Sequence, residues 1–370
     1  MIEVESAAEL ETALVEPDLG NVVVQGIDLG PFEADLRKSV VEGMTLIGCI
    51  IEPDLLVHLV EQRAIVFPRL GDRPFDTCRR GLYSVDDLYG GFDPSDISTY
   101  ETTLDARVYA HWIRTGRVTG ANVVETLARR LHDHSITDAL ADFVEGRQIV
   151  AVMGGHGIER TDPQFATVAT ISRQLARNGL TMASGGGPGA MEATHLGAWL
   201  SNYDDSTLAT AITMLAEAPT FQPSDRWLAA AFTVRQRFPR RSCDDHRSLS
   251  IPTWQYGHEP PNAFATDIAK YFANSVREDG LLTVATRGIV FTPGSAGTVQ
   301  EVFQDATQNH YETVGDPSPM VFLGVDFWTR EVPVLDVLRS VGAGRRWLDL
   351  VTVTDDHAEI VETIISSPHR

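Results

Sequence analysis

Apolar residues along this chain fall into two textures, and the change between them comes near residue 147. From there Gln148-Ile-Val-Ala-Val-Met153 is an unbroken apolar run ending in Gly154-Gly155-His156-Gly157. A strand buried on both faces of a parallel sheet looks like this as it enters a turn. Asp162-Pro163 then opens a helix, because aspartate accepts from orphan N–H groups and proline fits the first turn. Phe165, Val168, Ala169, Ile171, Leu175 and Ala176 keep one helix face apolar, and Asn178-Gly179 ends it before the strand Leu180-Thr-Met-Ala183. Strand, loop, helix, strand is how a doubly wound sheet begins. The alternation resumes with a helix over 267–276, a strand over 288–292, a helix over 298–310 and a strand over 320–324. Helices over 332–341 and 358–365 flank a last strand near 350–353.

Two regions stand outside this rhythm. Residues 201–246 have helical patterning that does not fit the alternation and read as an insertion. Residues 1–145 mix a strand-like run at 63–68 and a turn-rich loop at 89–94 with helices over 102–114 and 121–131. The expected architecture is α/β. A Rossmann-like, doubly wound parallel sheet spans 146–370 with its insertion at about 201–246, preceded by a mostly helical accessory domain over 1–145. No internal repeat stands out.

The chain has 370 residues, enough for two or three domains at about 150 each. With 30 basic against 51 acidic side chains the net charge is −21, which disfavours nucleic acid and anionic membrane as general partners. A small anion can still bind through local N–H donors and arginines. Only Lys38 and Lys270 are lysines, so a Schiff-base mechanism has two candidates. Cys49, Cys78 and Cys243 are odd in number, far apart and without zinc spacing, which fits a reducing compartment. The acidic start and the absence of an 18-residue apolar run lead to a cytoplasmic expectation.

Two glycine-rich loops carry the chemistry. Ser184-Gly185-Gly186-Gly187-Pro188-Gly189-Ala190-Met191-Glu192 follows one strand, and Pro293-Gly294-Ser295-Ala296-Gly297-Thr298-Val299-Gln300-Glu301 follows another. Glycines let the backbone approach a ligand, and the helix start behind each loop offers N–H groups to phosphate. Gly185, Gly187 and Ala190 also fit the dinucleotide spacing, with Asp204 or Asp205 as the ribose acid. That fingerprint belongs after the first strand of its unit, whereas this loop follows the second. Glu301 is open to two readings. Thr298-x-x-Glu301 has capping-box spacing, and a carboxylate beside a bound sugar can stabilise a ribosyl cation and activate water.

The loop GGGPGAME, followed by PGSAGTVQE, resembles the Lonely Guy (LOG) family, formerly called lysine decarboxylase-like, whose pattern is a GGG-containing loop and then PGGxGTxxE. The likeness covers about 147–200 and 247–367. It implies a LOG-type fold and cofactor-free hydrolysis of nucleoside 5′-monophosphates to free base and ribose 5-phosphate by a homodimer or higher homo-oligomer. It also implies that Glu301 is the catalytic carboxylate and Arg277 the catalytic arginine, with Arg287 as competitor. Pro293, Gly294, Gly297 and Thr298 match the second motif, Ala296 fills its variable position, and Ser295 replaces its second glycine. Gly185, Gly186, Gly187, Gly189, Ala190 and Glu192 complete the phosphate-binding set. Larger relatives with an added amino-terminal domain act on purine and pyrimidine nucleotides generally. The same fold also serves molybdenum-cofactor carriers, so a non-catalytic nucleotide or molybdenum-cofactor carrier is the alternative. An NAD(P) oxidoreductase is a third reading.

Trp254-Gln255-Tyr256-Gly257-His258-Glu259-Pro260-Pro261-Asn262 follows a strand-like Leu249-Ser-Ile-Pro252. Tyr256, His258, Glu259 and Asn262 are candidates for contacts to a nucleobase, or form a rigid turn. Arg235, Arg237, Arg240, Arg241 and Arg247 are solvated or paired side chains, or an anion site. His132 and His134 have metal-like spacing but read as the polar end of a helix, and no metal is expected. His156 has a structural role or faces the crevice. Asn309 and Tyr311 could pack at a dimer contact.

Overall fold

The computed structural model of the protein describes residues 1–240 and 246–367. The chain divides into two compact units, Met1–Leu82 with His111–Leu140, and Tyr83–Ala110 with Ala141–Arg370.

The first unit is rich in helix and also carries a sheet of its own. Strands β1 (Ile2–Val4), β2 (Val22–Gln25), β3 (Thr45–Ile47) and β4 (Ile65–Phe67) lie side by side in chain order, all parallel. Ile2 pairs with Val22, Val23 with Thr45 and Thr45 with Ile65, so the pairing advances 20, 22 and 20 residues. This is the geometry of stacked coils, in which each turn buries its apolar side against the next. The expectation of no repeat is corrected here. The strands are three or four residues long, and what recurs is a burial pattern rather than a motif. Val4, Val24, Leu46, Leu10, Leu36 and Leu59 form its core.

Glu125 is the charged hub of this unit. Its carboxylate takes Arg73 at 3.1 Å, Arg129 at 2.9 Å and His111 at 3.1 Å. It sits on a helix running from Val123 to Val144, longer than the 121–131 expected. His132 and Asp133 fall inside that helix, not at its end. The His132 Nδ1 lies 3.2 Å from Asp133 and its ring meets Phe75 edge-on. Among the described residues no group of three His, Cys, Asp or Glu could hold a metal ion.

The second unit is the doubly wound α/β sheet. Its strands are β5 (Ile149–Met153), β6 (Thr181–Ser184), β7 (Ser248–Ser250), β8 (Asp267–Ile268), β9 (Ile289–Phe291), β10 (Met320–Leu323) and β11 (Val351–Thr354). They lie in the order β11-β10-β9-β5-β6-β7-β8, and every pair is parallel. All five residues of β5 are buried, at about 1.5–3 kcal/mol for each large aliphatic side chain. The chain winds outward from β5 to β8, then returns to lay β9 on the other side of β5. The strand order reverses between β5 and β9, and the carboxyl ends of strands at such a switch point are where these sheets hold ligands.

Most expected elements recur. Asp162 caps the Pro163–Arg177 helix through Gln164 N, and the predicted apolar face is buried. The helix expected over 267–276 is displaced. Asp267–Ile268 is the edge strand, and the helix runs from Asn274 to Thr283.

The insertion forms helices Asp205–Leu215 and Ser224–Arg237. Asp204 caps the first by accepting from Thr207 N, and Asp205 pairs with Arg173 at 2.7 Å. Both acids of the dinucleotide reading are thus used elsewhere. Among the described residues no helix is long and apolar enough to cross a membrane.

Candidate functional site

The second glycine loop does what its composition suggests. Ser295 is extended (φ −103°, ψ −161°) and the Ala296–Tyr311 helix begins directly after it, with no side chain capping the helix start. Thr298 is therefore the third residue of the helix and Glu301 lies beyond its first turn, so the capping-box reading fails. The first N–H groups and the positive end of the helix dipole face the crevice, a ready place for an anion. Gly294 allows the tight packing below: a Cβ there would sit 2.2 Å from the Thr298 Oγ1 and 3.0 Å from the Gly155 N.

The first glycine loop behaves differently. Residues 184–191 are buried except for partial exposure at Met191. Asn262 clamps the loop, donating from its backbone N to the Gly186 carbonyl at 2.8 Å and from Nδ2 to the Gly186 and Gly187 carbonyls at 2.9 and 3.3 Å. The helix behind it, Ala190–Trp199, has its first N–H occupied: Ala190 N donates to the Gly155 carbonyl at 3.2 Å. Below the loop, Ser184 Oγ lies 2.8 Å from the His195 Nε2, and burial pushes that imidazole down to about 3. It is a neutral structural histidine. Glu192 is fully buried and bidentate to Arg160, at 2.9 and 2.5 Å, with Trp227 Nε1 donating to it at 3.1 Å. Its role is to tie the insertion to the sheet, since Arg160 also reaches the Ala218 and Trp227 carbonyls. Gly186, Gly187, Gly189, Ala190, Glu192 and Asn262 do not line the crevice described next, whereas Gly189 and Glu192 line a smaller cavity together with His156.

What lines the crevice is a set drawn from five segments. Gly154, Gly155 and His156 follow β5, Met191 belongs to the first loop, and Tyr256 and Glu259 come from the loop after β7. Arg277 and Glu278 sit on the Asn274–Thr283 helix, while Ser295, Ala296, Gly297, Thr298, Gln300 and Glu301 come from the second loop and its helix. The cavity measures about 370 Å³, within the range that holds a small organic ligand. Gly154, Gly155, Met191, Glu278 and Gln300 were not among the expected contacts. Gly154-Gly155 after a buried strand was the one signal that could have marked them.

Arg277 is anchored by its Nε, which donates to the Ile251 carbonyl at 3.0 Å. That bond sets the direction of the remaining guanidinium, and Gly185 makes room for it: a Cβ at residue 185 would lie 2.5 Å from the Arg277 Nη2. Gly185 thus contributes by leaving space. Arg287, the competing arginine, is buried and donates to the Ile364 and Ile365 carbonyls at 3.0 and 2.8 Å, closing the end of the last helix.

Glu278 cross-links the two helices that flank the crevice. It accepts from Asn274 Nδ2 at 2.5 Å and from Gln300 Nε2 at 3.1 Å. Burial lifts the Glu301 carboxyl to about 7, with Arg277 pulling it down and Glu278 pushing it up. At neutral pH this group exists in both protonation states, the condition for moving protons.

The other flagged residues resolve as follows. Glu259 is largely buried and sits between two imidazoles, whose Nε2 atoms lie 3.9 Å (His156) and 3.8 Å (His258) from its Oε1. His258 itself is exposed and outside the cavity lining. Arg235 is buried over the Trp199 ring, Arg247 pairs with Asp267, Arg240 donates to the His246 carbonyl, and Arg237 covers Phe238. Arg235, Arg240 and Arg247 are thus held by partners within the fold, and Arg241 lies outside the described residues. Asn309 is buried against Ser318, so it is no dimer contact. Tyr311 is exposed. Lys270 is fully buried beside Asp105 and 3.8 Å over the Trp254 ring, which removes it from Schiff-base chemistry.

No family model matches this sequence, and no curated protein does. Among solved structures, the chain is similar to the molybdenum cofactor binding protein from Rippkaea orientalis, at 14% identity and TM-score 0.35, over 60% of this chain and 98% of that one. It is also similar to the Moco carrier protein from Chlamydomonas reinhardtii, at 15% identity and TM-score 0.36, over the same shares. These findings overturn the Lonely Guy assignment. No family model supports it, and the similar structures bear a different description. The homodimer that it implied loses its basis as well.

Proposed function

We propose that the crevice binds a small phosphomonoester built on a heterocycle, of the nucleotide or molybdenum-cofactor kind, and that the protein carries it in the cytoplasm without altering it. The observation that supports this reading is the convergence of the uncapped start of the Ala296–Tyr311 helix with the Arg277 guanidinium on one cavity. Helix N–H groups and an arginine fork are complementary to phosphate oxygens in charge and geometry. Ser295 adds a hydroxyl donor at the same place. Tyr256 and Glu259 also line this cavity, and an aromatic side chain there can stack on a heterocycle.

A second reading rests on Glu301. A carboxyl poised near 7 in the cavity wall suits N-glycosidic hydrolysis of a nucleoside 5′-monophosphate. The C1′–N bond breaks, the carboxylate stabilises the ribosyl cation, water adds to C1′ as it yields a proton, and the departing base takes a proton. The ionised form does this work, so turnover would rise with pH through about 7.

One experiment separates the two. The full chain is titrated calorimetrically with inorganic phosphate, AMP, GMP and CMP, and with the molybdenum cofactor, and each nucleotide mixture is analysed for free base. Saturable binding weakened at least tenfold by Arg277→Ala, with no base released, supports the carrier. Base release lost in Glu301→Gln supports the hydrolase. Binding indifferent to Arg277 overturns the shared phosphate site.

A further inference from the structure

Besides the helix start and Arg277, the cavity wall contains the carboxylate of Glu259. Glu259 is mostly buried there, and the His156 and His258 Nε2 atoms, at 3.9 and 3.8 Å from its Oε1, stand beyond hydrogen-bond distance. Its backbone N donates to the Tyr256 carbonyl at 2.8 Å, which fixes the turn and sets both side chains in the same wall. Its Oε2 lies 4.0 Å from where a Cβ on Gly187 would be, so the loop behind it has no side chain to occupy that oxygen. A carboxylate only accepts, so its two oxygens can take N–H donors from a ligand in the cavity. The Tyr256 ring beside it is exposed and meets the His258 ring edge-on, and an exposed aromatic face of this kind can take a flat partner.

Resting on the phosphomonoester reading, we propose that Glu259 selects the ring of the bound ligand: it takes heterocycles that present a ring N–H beside an exocyclic NH2, the 2-amino-oxo edge shared by guanine nucleotides and pterin phosphates. Two parallel N–H donors match two carboxylate oxygens in a bidentate, charge-assisted pair. Hypoxanthine offers one of the two donors. The adenine edge offers its 6-amino donor to one carboxylate oxygen but sets the N1 acceptor against the other, so only one of the two bonds forms and the second contact is repulsive. A site that bonds a donor group rejects analogues lacking it far more strongly than an apolar pocket rejects a missing methylene. Glu259 therefore acts as the specificity residue, while Arg277 and the helix start hold the phosphate.

The test uses the full chain and calorimetric titration with GMP, IMP, AMP, neopterin monophosphate and inorganic phosphate. GMP should bind at least tenfold more tightly than IMP and AMP, and Glu259→Gln should bring the GMP-to-IMP ratio close to one. Neopterin monophosphate well ahead of GMP identifies the pterin source, and the reverse order the guanine source. GMP, IMP and AMP binding within twofold of one another, all dependent on Arg277, overturns the ring selection and leaves the phosphate site standing. A tenfold GMP preference that survives Glu259→Gln also overturns it. Should phosphate and every nucleotide fail to bind, both proposals fall together. If Glu259→Gln does not fold, the wild-type GMP-to-IMP ratio still decides.

Discussion

Glu301 and Arg277 face the same cavity from two different helices, and the guanidinium offsets only part of what burial does to the acid. The carboxyl stays near 7 because the Ala296–Tyr311 helix holds it in the wall, with Glu278 adding negative charge nearby. A folded-state value above the unfolded one means that the folded protein binds the extra proton. Stability contributed by this group is therefore complete below about 4.5 and is lost as pH rises through about 7. Glu301→Gln, which cannot ionise, should melt at a higher temperature than wild type at pH 8, by about 2 kcal/mol, and show no advantage at pH 4.5. Equal melting curves at pH 8 would contradict the desolvation of this half-buried acid.

Gly185 predicts a binding defect without a folding defect. A methyl group at that position would stand 2.5 Å from the Arg277 Nη2, the far end of a flexible side chain. Gly185→Ala should displace the guanidinium and weaken phosphate binding about as much as Arg277→Ala does. Circular dichroism and melting temperature should stay close to wild type. Full phosphate affinity in Gly185→Ala would mean that the arginine does not hold the anion.

The Arg160–Glu192 pair predicts the reverse. Both side chains are buried and bidentate, and Arg160 also ties down carbonyls of the insertion. Removing one partner leaves an uncompensated buried charge. Glu192→Ala should therefore cost about 3–5 kcal/mol in denaturant melts. At a temperature where the variant is folded, its phosphate affinity should equal wild type, because Glu192 does not line the crevice.

Lys270 and Asp105 allow a double-mutant test. Burial pulls the Lys270 ammonium below its ordinary range while Asp105 and the Trp254 face support its charge. Asp105→Asn should be strongly destabilising, and Lys270→Met combined with Asp105→Leu should recover most of the loss, since an apolar pair of similar volume replaces a desolvated ion pair. A double variant as unstable as Asp105→Asn would show that the pair specifies the local packing.

Local pattern by itself determined much of this protein. The buried run Ile149–Met153, the Asp162 cap, the apolar face of the helix that follows, and the Gly-rich connections were all readable, because each depends on residues a few positions apart. Both glycine loops were visible for the same reason, as was the acid Glu301 behind the second, whereas Arg277 was singled out only through the family resemblance. Tertiary structure alone decided which loop opens its helix start onto the cavity. The order of strands places the turns after β5 and β9 side by side, and so exposes the second helix start while the first is closed by the Gly155 carbonyl and the Asn262 clamp. Whether a buried polar residue is a ligand contact or a strut depends on partners far away in sequence, as Glu192 with Arg160 and Asn262 with Gly186 demonstrate. The parallel coils of the amino-terminal unit were hidden because three-residue strands pair through backbone groups, which every sequence supplies alike.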